Sequence, residues 1–276
     1  MRKQILGLFL LLLVGVLYAG EVEVPRLSPL PERVMEERVP LSGQWWFNPA
    51  PEAEFWEKET VKHWKPIEVP GEWVMQGFEV EKGKAAGYFR TFTVPASWQG
   101  KRIKLRCNAI YSDARVYING QKAGSHLGGF TAFELDVTDW VRCGAENRMA
   151  VTSETVADST SNASRYAVHP LGGISRDLYL FALPETNLSL FHVSTAFDST
   201  YTDATLVAEV DITHEGKTAS GKYQLAFELK DAEGRPVRLK DDRLKLRELA
   251  AGETEKLTVR FPVTAPRKWD PEHPYL

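Results

Sequence analysis

Hydrolysis needs carboxylates, nucleophiles or metal ligands held in facing pairs, and here those residue types are scattered. Glu36-Glu37 and Asp241-Asp242 are adjacent in sequence and flanked by further charge, the pattern of solvated side chains rather than of an acid and a base set apart across a bond. The six histidines, His63, His126, His169, His192, His214 and His273, form no pair at ligand spacing and have no cysteine cluster near them, so no metal site is expected. No GxGxxG follows a strand, and neither a P-loop nor a GxSxG occurs, which leaves nucleotide and serine-hydrolase chemistry without a motif. The longest irregular stretch is Glu154 to Leu171, ETVADSTSNASRYAVHPL. A loop of that length in a compact domain is either functional or loosely ordered.

The elements that must position such a loop are strands. Val116 and Ile118 alternate with Arg115 and Tyr117, and Asn119-Gly120 supplies the two positive-φ positions of a tight hairpin turn. Phe133, Leu135 and Val137 alternate again after the return from Gly124 to Gly129. Strands are expected at Tyr88 to Val94, Lys101 to Ala109, Arg115 to Ile118, Phe133 to Val137, Arg148 to Ser153 and Leu178 to Leu183. Their short, regular spacing points to a sandwich rather than to βαβ units. Asp136 to Val141 should make one helical turn, capped by Asp136 or Thr138, with Trp140 anchored inward. Six of the eight tryptophans fall in the first hundred residues: Trp45, Trp46, Trp56, Trp64, Trp73 and Trp98. They could form a sugar-stacking platform, but core packing is favoured. Trp45 and Phe47 should share one strand face and Trp46 the other.

The chain has 276 residues, 43% hydrophobic and 26% charged, with a formal charge of −3. That length suits two domains, and the mild acidity argues against nucleic acid or an anionic membrane as partner. Arg2 and Lys3, the apolar run Ile5 to Leu17 and Tyr18-Ala19-Gly20 make residues 1–20 a signal peptide, which implies an exported protein, periplasmic or extracellular. No membrane span is expected after its cleavage. Residues 21–40 read as an extended leader on the surface. Cys107 lies in phase with Ile103 and Leu105 and suits a buried position, while its pairing with Cys143 stays open.

Beyond Pro184-Glu185-Thr186 the alternation resumes. Leu188 and Leu190, then Leu206, Ala208, Val210 and Ile212, then Leu225, Phe227 and Leu229, then Leu257, Val259 and Phe261 each alternate with polar partners. The fold class is therefore all-β: a jelly-roll sandwich over 41–184, followed by an immunoglobulin-like sandwich over 185–276.

The runs GYFRTFTVPASWQGKRIKLRC, RVYINGQKAGSHLGGFTAFELDVTDW, ENRMAV and GGISRDLYL, in that order, resemble the N-terminal sugar-binding domain of glycoside hydrolase family 2. The resemblance extends over nearly all of the chain after residue 40. It implies a retaining exo-β-glycosidase acting on terminal β-linked sugars, with β-galactosidase the first reading and β-glucuronidase or β-mannosidase the alternatives. In that family the glutamates of the reaction sit on a TIM barrel, expected beyond residue 276, so no residue of this chain inherits a catalytic role and the chain alone should be inactive. The family's loop before the GGISRD-like motif reaches toward the sugar, which makes Asp158, Asn162, Arg165, Tyr166 and His169 the candidate substrate-binding residues. A solvated loop making only local turns is the competing reading. Gly172, Gly173, Arg176 and Asp177 carry the motif in a structural role: the glycines for close backbone approach, Arg176 and Asp177 to tie the loop base to neighbouring strands. The resemblance implies no cofactor and no metal. It implies a carbohydrate substrate bound with the barrel, and it is compatible with a homo-oligomer. A free-standing carbohydrate-binding or surface-interaction protein is the alternative outside catalysis.

Overall fold

The computed structural model describes residues 27–155 and 171–275. The expected signal peptide and the loop candidates Asp158, Asn162, Arg165, Tyr166 and His169 lie outside the described residues.

The first sandwich is built from β1 (Val39–Pro40), β2 (Gly43–Asn48), β3 (Lys65–Val69), β4 (Ala85–Thr93), β5 (Arg102–Cys107), β6 (Ile110–Tyr111), β7 (Asp113–Ile118), β8 (Gln121–Leu127), β9 (Phe133–Asp136), β10 (Glu146–Glu154), β11 (Gly173–Ile174) and β12 (Leu178–Leu183). Its two layers are a four-stranded sheet, β1-β12-β5-β9, and a six-stranded sheet, β3-β2-β4-β10-β7-β8, with β11 and β6 forming a small ribbon. The pairings are antiparallel. Alternation decides which side chains meet between the layers: Ile103, Leu105 and Cys107 are buried while Arg102, Lys104 and Arg106 point away. Trp45 and Phe47 enter the same core, and Trp45 Nε1 donates to the Leu41 carbonyl at 2.8 Å, so the indole is buried without an unmet donor. Trp46 points to the other face and is 45% exposed.

Core packing accounts for most of the early tryptophans. Trp45, Trp73 and Trp98 are buried between the sheets, and Trp56 and Trp64 cover the outer face of the six-stranded sheet, packing with Phe55 against Phe89, Tyr117 and Ala150. Trp56 stacks on Tyr117 at 4.3 Å and 9°. The Pro-bearing strand β3 lies at a sheet edge, where a missing amide costs no ladder bond. Asn119 and Gly120 turn the β7–β8 hairpin with φ of 52° and 86°.

Two local expectations are corrected. The single turn expected over Asp136–Val141 is there, the Trp140 and Val141 amides both donating to the Val137 carbonyl at 3.0 and 3.1 Å, but Trp140 is not its inward anchor. Asp136 Oδ1 accepts from the Thr138 amide at 3.0 Å and Val137 takes the buried place, leaving Trp140 38% exposed. The leader is also more than an extended strap. It contains the short helix α1 (Glu32–Glu36), and Leu30, Val34 and Met35 cover Tyr179, Phe181 and Leu183 on the outer face of β12. Its start is pinned where Ser28 Oγ donates to Glu134 Oε2 at 2.7 Å, and Arg106 pairs with Glu134 while donating to the Ser28 carbonyl at 2.7 Å. Cys107 and Cys143 are free thiols.

The second sandwich contains β13 (Thr186–Phe197), β14 (Ala204–His214), β15 (Tyr223–Ala226), β16 (Leu229–Lys230), β17 (Pro236–Val237), β18 (Arg243–Leu246) and β19 (Thr254–Val263). One layer is the sheet β13-β14-β19, the ribbon β15-β18 packs against it, and β16-β17 forms a second short ribbon. Leu225, Phe227 and Leu246 pack on Ala208, Val210 and Ile212. The turn at Asp231–Gly234 joins β16 to β17, Gly234 donating to the Asp231 carbonyl at 2.9 Å. On β18, Arg243 and Lys245 face solvent while Leu244 and Leu246 are half-buried. Lys104 reaches across to Glu215 at 3.1 Å.

Candidate functional site

The GGISRD motif folds as the base from which residues 156–170 depart and to which they return. Thr155 Oγ1 donates to the Leu171 carbonyl at 3.0 Å, so both ends of that stretch are stitched together. Gly173 and Ile174 form β11 and pair with Tyr111 and Ile110 of β6. Ser153 Oγ then donates to the Tyr111 carbonyl at 2.6 Å, tying the ribbon to β10.

The paired glycines are dictated by what presses on them. A Cβ on Gly172 would stand 1.9 Å from the Trp73 ring, and one on Gly173 would stand 2.2 Å from Tyr88 Oη. Gly173 also has φ of +94°, outside what a side chain tolerates well. Trp73 is in turn held by a short turn: Gln76 and Phe78 amides donate to its carbonyl, and the Met75 amide donates to Glu72 Oε2 at 2.8 Å.

Beneath the base sits an unsatisfied polar pair. Neither Tyr88 Oη nor Glu72 Oε1 has a hydrogen-bond partner of ordinary geometry among the described residues, although both are buried. Burial pushes the Tyr88 phenol well above its usual range. The Ile174 backbone amide acts weakly against that shift and the Glu72 charge adds to it. Tyr88 therefore stays protonated at neutral pH and serves as packing, not as a base. Around the rim, Phe130 is exposed and meets Tyr111 edge to face at 5.5 Å.

The motif's charged pair sits differently from expectation. Asp177 does tie the base, its Oδ1 accepting from Ser42 Oγ at 3.1 Å while its carbonyl accepts from the Asn108 amide. Arg176 is exposed, and no ion pair holds it among the described residues. Sequence reasoning missed Trp73, Tyr88 and Glu72 as the floor of the base. The signal available was the paired glycines, which announce a close approach without naming what approaches.

Among the described residues no group of three or more His, Cys, Asp or Glu could hold a metal ion. A pocket of about 500 Å³ near Trp64 is walled by Glu52, Lys58, Lys62 and His63, but it lies over the outer face of the six-stranded sheet and its Glu52 and Lys58 neutralise each other. No helix among the described residues is long and apolar enough to cross a membrane.

The fold is thus a pair of consecutive β-sandwiches, the first with a stitched loop base and the second immunoglobulin-like. The sequence matches the description "Glycosyl hydrolases family 2, sugar binding domain" over residues 39–184 and "Glycosyl hydrolases family 2" over 186–276. The chain belongs to glycoside hydrolase family 2. It is 24% identical over 265 residues to a β-galactosidase of Priestia megaterium, covering 86% of this chain and 25% of that protein. A β-galactosidase of Thermoanaerobacter pseudethanolicus is 29% identical over 198 residues, covering 68% of this chain and 24% of the relative. Among solved structures, a Bacteroides uniformis β-glucuronidase superposes with a TM-score of 0.73 at 26% identity, covering 86% of this chain and 29% of that one. The chain thus spans about a quarter of the length of the curated relatives it matches.

Proposed function

We propose that this chain is the N-terminal portion of an exported retaining exo-β-glycosidase that removes terminal β-linked sugars, with β-galactose the first substrate to test. The observation that carries the reading is the ordered match to both family 2 regions, joined to a loop base held rigidly by Trp73, Tyr88 and the Thr155–Leu171 bond. Two relatives named β-galactosidase support the sugar. The β-glucuronidase neighbour keeps glucuronide as the second reading.

Retention needs two carboxyl groups roughly 5–5.5 Å apart, one as nucleophile and one as acid and base. On this reading both come from a catalytic barrel outside the chain. The work of this chain is to fix the end points of residues 156–170, so that Asp158, Asn162, Arg165, Tyr166 and His169 present hydroxyl-binding groups at the rim of the sugar site. A preformed base lowers the ordering cost of that contact.

The test is to purify the full-length gene product and residues 21–276 separately, and to assay aryl β-galactoside, β-glucuronide and β-mannoside side by side. Turnover by the full-length protein only, with β-galactoside preferred, is expected. Turnover by 21–276 alone would overturn the division of labour, and a preferred glucuronide would replace the substrate.

A further inference from the structure

The pocket beside Trp64 is made by a single excursion of the chain. Residues 49–64 leave the six-stranded sheet after β2, cross its outer face and return to it as β3. Every residue lining the cavity of about 500 Å³ comes from within 52–64. That volume lies inside the range of roughly 300–1,000 Å³ usual for small-molecule sites.

Its floor is aromatic and already fixed. A Cβ on Gly87 of β4 would stand 2.7 Å from the Trp64 ring and 2.9 Å from that of Phe55, so the sheet gives up a side chain to seat the two rings. Their centroids are 5.0 Å apart. Phe55 is buried, whereas Trp64 is half-buried and lines the cavity with the surface it has left. An indole seated in advance costs little further ordering when a ligand stacks on it.

The walls are polar and their charges cancel. They carry two carboxylates, Glu52 and Glu59, and two ammonium groups, Lys58 and Lys62, together with the Thr60 hydroxyl and the His63 ring. Lys58 pairs with Glu52 and holds its carboxyl below the usual range, so Glu52 is an acceptor throughout neutral pH. His63 has φ of +64°, a left-handed conformation of the kind that is retained where a loop holds a ligand. Balanced walls give an anion or a cation no advantage. Donors and acceptors set side by side suit vicinal hydroxyls, and an indole suits the C–H face of a sugar ring.

We propose that this pocket binds a neutral sugar ring, stacked on Trp64 and hydrogen-bonded by the Glu52–Lys58 pair and by His63. The site makes no use of the loop base, because Gly87 and Tyr88 are consecutive on β4 and turn to opposite sides of the sheet, Tyr88 into the core. A second, weak contact of this kind holds the protein on a glycan surface and raises the concentration of sugar ends around it. None of these residues enters the glycosidase reading above, so the two stand or fall separately.

The experiment titrates the chain with lactose, with cellobiose and with glucuronate as the charged comparator, following the indole N–H signals by NMR. Trp64→Phe identifies the Trp64 signal. Two variants keep the fold: His63→Gly suits the positive φ while removing the ring, and Glu52→Gln with Lys58→Met removes an exposed pair that contributes little stability. Lactose and cellobiose should move the Trp64 signal, and their affinity should fall at least about tenfold in the double variant and at least about threefold in His63→Gly. A Trp64 signal that neither neutral sugar moves overturns the proposal, as does tighter binding of glucuronate. Full affinity in both variants would put the sugar elsewhere on the chain and overturn it too.

Discussion

Gly173 lies over the hydroxyl of Tyr88 so closely that a single added carbon would stand 2.2 Å from Oη. The two residues come from different strands, β11 and β4, and their contact sets the height of the loop base over the core.

Gly173→Ala should destabilise the chain by about 2–4 kcal/mol, combining overpacking with a strained positive φ. Tyr88→Phe removes a hydroxyl that has no ordinary partner and should be nearly neutral. The double variant should recover about half of the loss, because the clash goes and the backbone strain stays. Urea unfolding of the three variants measures the coupling, and strict additivity would show that the two side chains do not meet.

Glu134 holds the leader. Its carboxylate takes bonds from the Ser28 amide and hydroxyl and pairs with Arg106, and both charged side chains are mostly buried. Glu134→Ala leaves Arg106 unpaired and should cost about 3 kcal/mol. Limited proteolysis should then cut within residues 27–38 well before the sandwich yields. Unchanged resistance there would mean that α1 holds the leader through Leu30, Val34 and Met35 alone.

The thiols should report burial rather than a bridge. Burial raises the pKa of both Cys107 and Cys143, further for the fully buried Cys107. An aromatic disulfide reagent should label Cys143 slowly in the folded protein and reach Cys107 only in denaturant. Recovery of no free thiol in denaturant without reductant would show that the pair had formed after all.

His126 stacks on Phe133 at 4.3 Å, and burial lowers its pKa below 6.5. The unfolded chain therefore binds the proton more readily. The His126 contribution is present above about pH 6.5 and falls away as pH drops through the lower folded-state value. His126→Gln should flatten the stability profile below about pH 6.5, as followed by thermal melts; an unchanged slope would assign the acid sensitivity elsewhere.

At the β18–β19 turn, Arg247 and the Ala250 amide hold Glu253 down to about 2 from 4.5. This carboxylate favours the fold above pH 4.5, and that support is lost as pH falls toward 2. An NMR titration of Glu253 should find its midpoint well below those of other exposed glutamates, and Arg247→Gln should return it toward 4.5.

Strand-level features were legible because their causes are local. Asn119-Gly120 could only turn a hairpin, and the alternation around Trp45 and Phe47 could only bury one side. The paired glycines signalled a close approach, but Trp73 and Tyr88 lie far away in sequence. The leader's anchor was invisible for the same reason: Ser28 and Glu134 are 106 residues apart, and the alternation of Phe133, Leu135 and Val137 marks Glu134 only as a side chain on the other face. Trp140 misled because size suggested an anchor, whereas the Asp136 cap placed Val137 in the core.

The Thr155–Leu171 stitch makes the fifteen residues between them a cassette. With both ends clamped, a change in the length of the insert costs little, about 0.6 kcal/mol per doubling. The close contacts of Gly172 with Trp73 and of Gly173 with Tyr88 lie below the stitch, so the base keeps its own packing whatever the length of the stretch that it closes.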